Sequence, residues 1–246
     1  MGRGEHHDVV RKLGIIGGTS WNSTALYYRH INEGVARRMG GLHSARLLIE
    51  SIDLAPYAKL QRAGQKKRGG RVIVEAAEAL KAGGAEAILI ASNTTNRYAD
   101  LVGDATELPV LHIVDAVTAR LEADERRRIA LLGTKMVMSE KFARERYEAA
   151  GFEVMELPET VVDDVDRIIF EELAKGVVTR TSQRELKSVI TELDKQKADA
   201  VVLACTELVL AVDARANVLP VYDTTAIHAA AAVDWLLEDD KGATAA

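Results

Sequence analysis

Cysteine occurs once in the 246-residue sequence, at position 205. One cysteine excludes an internal disulfide and a cysteine-rich zinc site, leaving either an inert buried thiol or a reactive one. Proline is sparse at four residues, and aromatic residues make up only 4% of the chain. With 48% hydrophobic and 28% charged residues, the composition is that of a folded protein rather than a disordered one. No apolar run approaches the roughly 18 residues that a membrane-spanning helix needs, so no membrane partner is expected. The first ten residues, MGRGEHHDVV, lack the apolar stretch of a secretory signal, and cytoplasmic residence is the default expectation. The net charge of −5 is spread along the chain. Its basic clusters, Lys66-Lys67-Arg68 and Arg126-Arg127-Arg128, are short and lack interleaved aromatics, which argues against a nucleic-acid partner. The histidines show no metal-ligand spacing: His6 and His7 are N-terminal, and His30, His43, His112 and His228 are scattered. No metal and no cofactor is implied.

What the chain does contain is alternation. Strand-like apolar runs at Leu13 to Ile16, Ala45 to Ile52 and Ala87 to Ala91 are separated by helix-length amphipathic segments near 22–39 and 68–82. The pattern restarts at Ile129 to Thr134, runs through helices near 139–150, 163–175 and 181–196, and reaches a further strand at Ala200 to Ala204. Alternation of this kind predicts βαβ units and parallel sheets.

The two halves read as weak internal repeats. KLGIIGGTS at 12–20 matches RIALLGTKM at 128–136, AEAILIASNTT at 85–95 matches ADAVVLACTEL at 198–208, and LPVLHIVDA at 108–116 matches LPVYDTTA at 219–226. The expected architecture is α/β: two pseudo-symmetric, flavodoxin-like domains with parallel sheets. The first would comprise 12–113 plus 224–237 and the second 114–223, with 1–11 and 238–246 as disordered termini. Each half supplies one Gly turn after its first strand and one Ser or Cys turn after a later buried strand. Ligands of open parallel sheets bind at the carboxyl ends of the strands, so an active-site cleft between the domains is the expectation, with Ser92 and Cys205 facing each other across it.

Ser92-Asn93-Thr94 and Cys205-Thr206-Glu207 each follow a continuous hydrophobic run. The pair resembles the Cys-Asn-Thr and Gly-Cys-Thr-Glu signatures of the aspartate/glutamate racemase superfamily, and the resemblance extends from about Leu13 to Leu237. It includes Gly14 to Trp21, Tyr27-Tyr28-Arg29, Gly40 to Ala45, Ile168 to Leu173 and Tyr222-Asp223-Thr224. Within that superfamily the sequence is most similar to the bacterial broad-specificity amino-acid racemase branch. The resemblance implies a cofactor-independent enzyme that inverts the α-carbon of a free amino acid, and it implies a homodimer.

Racemisation needs one group to remove the α-proton and another to return a proton on the opposite face. A thiol suits this role, because its ordinary pKa of about 8.5 lies near working pH. Cys205 is the expected acid/base on one face, its pKa lowered by a helix N-terminus and by donors such as Thr206 and Asn93. Ser92 stands where the superfamily usually carries a second cysteine, and a serine hydroxyl is a far weaker acid. Three functional readings therefore stand beside one another: racemisation with Ser92 assisted by Asn93, Thr94 or water; a single-thiol decarboxylase or isomerase of a small carboxylic acid; and an impaired protein that binds a small carboxylate.

Other positions carry a bland reading next to a functional one. A lone cysteine after an apolar strand is commonly an inert core residue. The turn Gly17-Gly18-Thr19-Ser20 is at minimum a tight connection with a serine N-cap; as a backbone nest it would take the substrate carboxylate through Thr19, and Gly133-Thr134 would do likewise. Glu207 either caps a helix or supports the thiol from behind. By the resemblance, Gln61 aligns with a substrate-contacting glutamine, Asn96 stands where many relatives have histidine, and Asp164 stands near a lysine that holds an acidic substrate group. Asp164 would then disfavour aspartate and glutamate and favour a neutral or cationic side chain; its bland reading is an acidic helix N-terminus.

Overall fold

The computed structural model of the chain describes residues 11–238. Of the expected disordered termini, 1–11 and 238–246, residues 1–10 and 239–246 lie outside the described residues, while Arg11 and Glu238 pair with each other at 3.4 Å. In chain order the elements are β1 (Lys12–Gly17), α1 (Trp21–Met39), β2 (Arg46–Ser51), α2 (Leu54–Arg62), α3 (Lys66–Ala82), β3 (Ala87–Ile90), α4 (Ala99–Thr106), β4 (Val110–Leu111) and α5 (Ile113–Ala123). They continue with β5 (Arg128–Gly133), α6 (Lys135–Ser139), α7 (Lys141–Ala149), β6 (Glu153–Val154), α8 (Glu159–Arg167), α9 (Arg180–Lys195), β7 (Ala200–Ala204), β8 (Val221–Asp223) and α10 (Thr224–Leu237).

The strands form two four-stranded parallel sheets, ordered β2-β1-β3-β4 and β6-β5-β7-β8. The two orders are the same position for position, the topological form of the repeat read in the sequence. β3 (AILI) and β7 (AVVLA) are buried at every residue, as central strands covered on both faces must be. By its contacts the chain divides into two compact units: the described parts of Met1–Leu89, Leu101–Leu111 and Ala229–Ala246, and those of Ile90–Asp100 and His112–His228. The turn after β3 therefore belongs by contact to the second unit.

Strand alternation builds the second unit's two cores. Ile129 and Leu131 of β5 face Ile113, Val117, Leu121, Tyr147 and Phe152. Ala130 and Leu132, one residue out of phase, face Ile168, Ile169, Leu186 and Ile190. Each fully buried aliphatic side chain contributes on the order of 1.5–3 kcal/mol, so these layers fix the strand ends that carry the site. In the first unit α10 lies close on α1: a Cβ at Gly34 would come within 2.6 Å of Val233.

Three departures from the sequence reading have local causes. α2 and α5 were not anticipated, and both are started by a side-chain cap: Asp53 accepts from the Ala55 N–H, and His112 from the Val114 N–H. The single helix expected near 139–150 is broken into α6 and α7 at Glu140, whose backbone is extended and whose carboxylate pairs with Arg97. The helix expected at 163–175 begins earlier, at Glu159, and passes through a π turn at Ile168–Glu172 and a 3-10 turn at Leu173–Lys175.

Candidate active site

In the second sheet the chain leaves β5 toward one edge and β7 toward the other, so the carboxyl ends of these two neighbours form the topological switch point. Gly133 at the end of β5 is the register partner of Ala204 at the end of β7. A Cβ on Gly133 would stand 2.8 Å from the Ala204 carbonyl oxygen, so glycine lets the strand ends close up. Thr134 and Cys205 follow directly. The Thr134 hydroxyl is buried and has no hydrogen-bond partner, an arrangement that a bound polar group would satisfy. The next N–H, of Lys135, is already taken by the Asp166 carboxylate at 2.6 Å.

Cys205 is buried, in extended backbone, and its thiol donates to Glu207 Oε2 at 3.1 Å. The same oxygen accepts from the Thr206 hydroxyl at 2.7 Å. Burial first, and then the charge and hydrogen bond of Glu207, push the thiol well above its ordinary pKa, against the N–H groups of Glu207 and Leu208. This reverses the expected lowering. The Thr206 hydroxyl donates to the carboxylate and the Asn93 amide to Thr224, while desolvation penalises the thiolate.

Ser92 stands two residues past the end of the corresponding strand, β3, and its turn is held from three directions. Its hydroxyl accepts from the Thr95 N–H at 3.3 Å, and its carbonyl accepts from the Asn96 side chain at 2.7 Å. Asn96 is itself buried; it also donates to the Ile90 carbonyl at 2.9 Å and accepts from the Ile113 N–H at 3.3 Å. It thus clamps the Ser92 turn. Asn93 donates to the Thr224 hydroxyl at 3.0 Å, and Thr224 donates on to the Leu203 carbonyl at 2.9 Å, two residues before Cys205. Thr94 lies between these anchors, with its carbonyl accepting from the Arg97 N–H at 3.5 Å.

Thr224, Arg97 and His112 went unassigned in the sequence. Arg97 stacks on Phe142 at 4.6 Å and pairs with Glu140, tying the turn after Ser92 to the α6–α7 junction. His112 has a pKa lowered to about 4 by burial and by the Arg146 charge, so at neutral pH its Nδ1 is a pure acceptor for the Val114 N–H. The repeat held a clue: His112 and Asp223 occupy matching positions, and Asp223 caps Thr225 N–H at 2.9 Å in the same way.

Asp164 is exposed and pairs with Arg167 at 3.4 Å, while Asp163 pairs with Lys135 at 2.6 Å. Thr19 and Gln61 belong to the first unit. Thr19 follows Gly18, whose N–H donates to the Thr24 hydroxyl at 2.9 Å, and Gln61 donates to the Tyr57 hydroxyl at 2.5 Å. Among the described residues no group of three or more His, Cys, Asp or Glu could hold a metal ion. Nor is any described helix long and apolar enough to cross a membrane.

The family model for Asp/Glu/Hydantoin racemases matches residues 16–232. The chain belongs to this family. A candidate Asp/Glu racemase from Yersinia pestis is 41% identical, with 93% of this chain and 100% of that one covered and a TM-score of 0.89. An aspartate racemase homologue from Pyrococcus horikoshii is 30% identical over 93% and 100% of the two chains, with a TM-score of 0.81. Arylmalonate decarboxylase, at 15% identity, 93% coverage of each chain and a TM-score of 0.50, shares the fold. Across the racemase family fold, then, the carboxyl ends of β3 and β7 carry this chain's Ser92 and Cys205.

Proposed function

We propose that the protein is a cofactor-independent racemase of a free amino acid, homodimeric and cytoplasmic, with Cys205 serving one face of the α-carbon and Ser92 the other. The observation that carries this reading is the thiol of Cys205, held by Glu207 at the carboxyl end of a buried central strand. Along that hydrogen bond the proton can pass from Sγ to Oε2. The S–H bond breaks and an O–H bond forms, and the buried pair keeps a single negative charge throughout. The thiolate so formed takes the α-proton and is a thiol again, and the proton held on Oε2 then passes to solvent, which returns the pair to its single negative charge. On the other face the Ser92 hydroxyl, polarised by the Thr95 N–H, hands over a proton that solvent replaces. The unpartnered Thr134 hydroxyl supports a carboxylate subsite beside the thiol, where fixed donors stabilise the carbanion-like state. The carboxylates of Asp163 and Asp166, which meet Lys135 next to Thr134, and the exposed carboxylate of Asp164 on the same helix support a substrate side chain that is neutral or cationic.

Single L-amino acids, acidic, neutral and basic, incubated in heavy water test the reading. The expected result is α-deuterium incorporation with formation of the D-enantiomer, abolished in Cys205→Ala. Absence of exchange from every amino acid would sink it.

The raised thiol pKa favours one second reading, a single-thiol proton donor. In that case an aryl- or alkenyl-malonate loses carbon dioxide and Cys205 protonates the resulting enediolate. Turnover of such a malonate without amino-acid exchange would select it.

A further inference from the structure

Thr134 and Cys205 follow neighbouring strands of one sheet, so the backbone ladder that pairs Gly133 with Ala204 fixes their separation. Ser92 follows β3 of the other sheet, and among the described strands no ladder joins the two sheets. Its place against the other two is therefore left to side chains. Asn93, through Thr224, ties the Ser92 turn to the Cys205 strand. Arg97 ties it to the Thr134 turn. Its guanidinium donates to Met136 Sδ at 3.2 Å and to a carboxylate oxygen of Glu140, and it stacks on Phe142 at 4.6 Å. The Arg97 side chain is 7% exposed, and a charge so buried is held where its partner is. Both ends of this bridge are short. The Thr134 carbonyl accepts from the Val137 and Met138 N–H groups at 2.9 and 3.0 Å, and the Met136 carbonyl from the Glu140 N–H at 3.1 Å. On the other side the Ser92 carbonyl accepts from the N–H of Asn96, the residue before Arg97, at 3.2 Å. In keeping with these contacts, Ile90–Asp100 belongs to the second unit while the chain up to Leu89 belongs to the first.

We propose that Arg97 is a positioning residue of the reaction, holding the Ser92 hydroxyl within reach of a substrate whose carboxylate lies on Thr134. The inference rests on the racemase reading above, in which Cys205 and Ser92 serve opposite faces of the α-carbon. A planar guanidinium fits the task, since its fork offers separate N–H groups to Met136 and Glu140 while its face rests on Phe142; the point charge of a lysine does not do all three. The thiol side of the site is independent of this bridge, because β5 and β7 keep Thr134 and Cys205 in register when Arg97 is altered. Loss of Arg97 therefore separates the two half-reactions. Cys205 still takes the α-proton. Its thiol, joined to Glu207 by a hydrogen bond that exchanges with solvent, gives a hydrogen back to the same face, so the S–H bond breaks as the C–H bond re-forms. Delivery to the opposite face needs Ser92 in place, and a misplacement of about 1 Å slows such a step on the order of 100-fold.

The full chain and its variants Arg97→Lys, Arg97→Gln and Glu140→Gln, checked for folding by circular dichroism, are incubated in heavy water with each enantiomer of an amino acid that the wild type exchanges. Initial rates are read separately for deuterium in the recovered enantiomer, which reports return to the same face, and in the inverted one. For the enantiomer that Cys205 deprotonates, the ratio of inversion to retained exchange should fall at least about ten-fold in both Arg97 variants, with KM within about two-fold of wild type. From the other enantiomer, which Ser92 must deprotonate, exchange and inversion should both slow. Glu140→Gln leaves the guanidinium and its stacking in place and should shift the same ratio by at least about three-fold, so it decides the matter should the Arg97 variants fail to fold. Combining Arg97→Gln with Glu140→Gln should lower the ratio no further than Arg97→Gln alone, the pair being already broken. A ratio that stays at the wild-type value in the folded variants, because inversion is untouched or because inversion and retained exchange fall together, would overturn the proposal. A wild type that exchanges no amino acid removes the racemase reading and this proposal with it, whereas a wild type that racemises beside variants with an unchanged ratio removes this proposal alone.

Discussion

The side-chain amide of Asn93 donates to the hydroxyl of Thr224, 131 positions later in the chain, and that hydroxyl donates to the carbonyl of Leu203. Three segments are thereby joined: the turn after β3, the start of α10 and the strand that delivers Cys205. Thr224 is wholly buried, so no water can replace its oxygen. The spacing between the Ser92 turn and the Cys205 strand is set by one hydroxyl.

Thr224→Val keeps the shape and removes both bonds. It should cost about 1–3 kcal/mol of stability and lower kcat more than it raises KM, because the reacting groups are misplaced rather than lost. Thr224→Ser should recover most of both. Thermal melts and steady-state kinetics on the three proteins check this, and equal kcat in Thr224→Val and wild type would dismiss the positioning role.

Glu207 raises the Cys205 pKa through its charge and its hydrogen bond. Glu207→Gln removes the charge, so the pH midpoint for iodoacetamide labelling of the single thiol should fall relative to wild type. Catalysis should fall with it, since the carboxylate is also the proton's resting place. A labelling midpoint that stays put or rises would show that burial alone governs the thiol.

Ser92→Cys replaces a weak acid by a thiol in the same turn. If the Ser92 face limits turnover, the variant should gain at least about ten-fold in kcat with any amino acid that the wild type exchanges. No gain, with the fold intact, would assign the limiting step elsewhere.

His112 gives the fold a pH dependence of definite sign. Its folded pKa, about 4, lies below the ordinary 6.5, so between these values the unfolded chain binds a proton that the folded one does not. The stabilisation is complete above pH 6.5 and is lost as pH falls toward about 4. His112→Gln should flatten the melting temperature across that window. A wild-type melting temperature independent of pH there would contradict the burial of a neutral imidazole.

Gly18 has φ +86°, and a Cβ there would lie 2.1 Å from the Ile52 carbonyl oxygen. Gly18→Ala should therefore destabilise by at least about 2 kcal/mol, combining left-handed strain with a backbone clash. Gly40→Ala, at φ +75° with nothing within 4 Å, supplies the control that isolates the conformational part. Equal costs at the two sites would show that the clash is relieved by movement of the Ile52 strand end.

Local periodicity determined much of this protein by itself. Runs such as Ile129 to Gly133 and Ala200 to Ala204 are apolar at every position, which only a strand covered on both faces requires, and the repeated order of runs and turns specified two like sheets. The same pattern put Ser92 and Cys205 directly after buried strands. Helices started by one side chain, as α2 is by Asp53 and α5 by His112, were less legible, because a cap reads as any polar residue until the chain folds around it. The break at Glu140 was not legible at all, since the partner its carboxylate holds there, Arg97, lies 43 positions away. Only tertiary structure decided that Glu207 takes the Cys205 proton in a hydrogen bond, that burial raises the thiol where donors were expected to lower it, and that Thr224 joins the two strand ends. A sequence pattern records which residues are apolar and at what period. Desolvation and hydrogen-bond partnership depend on distances between residues far apart in the chain, and those exist only in the folded molecule.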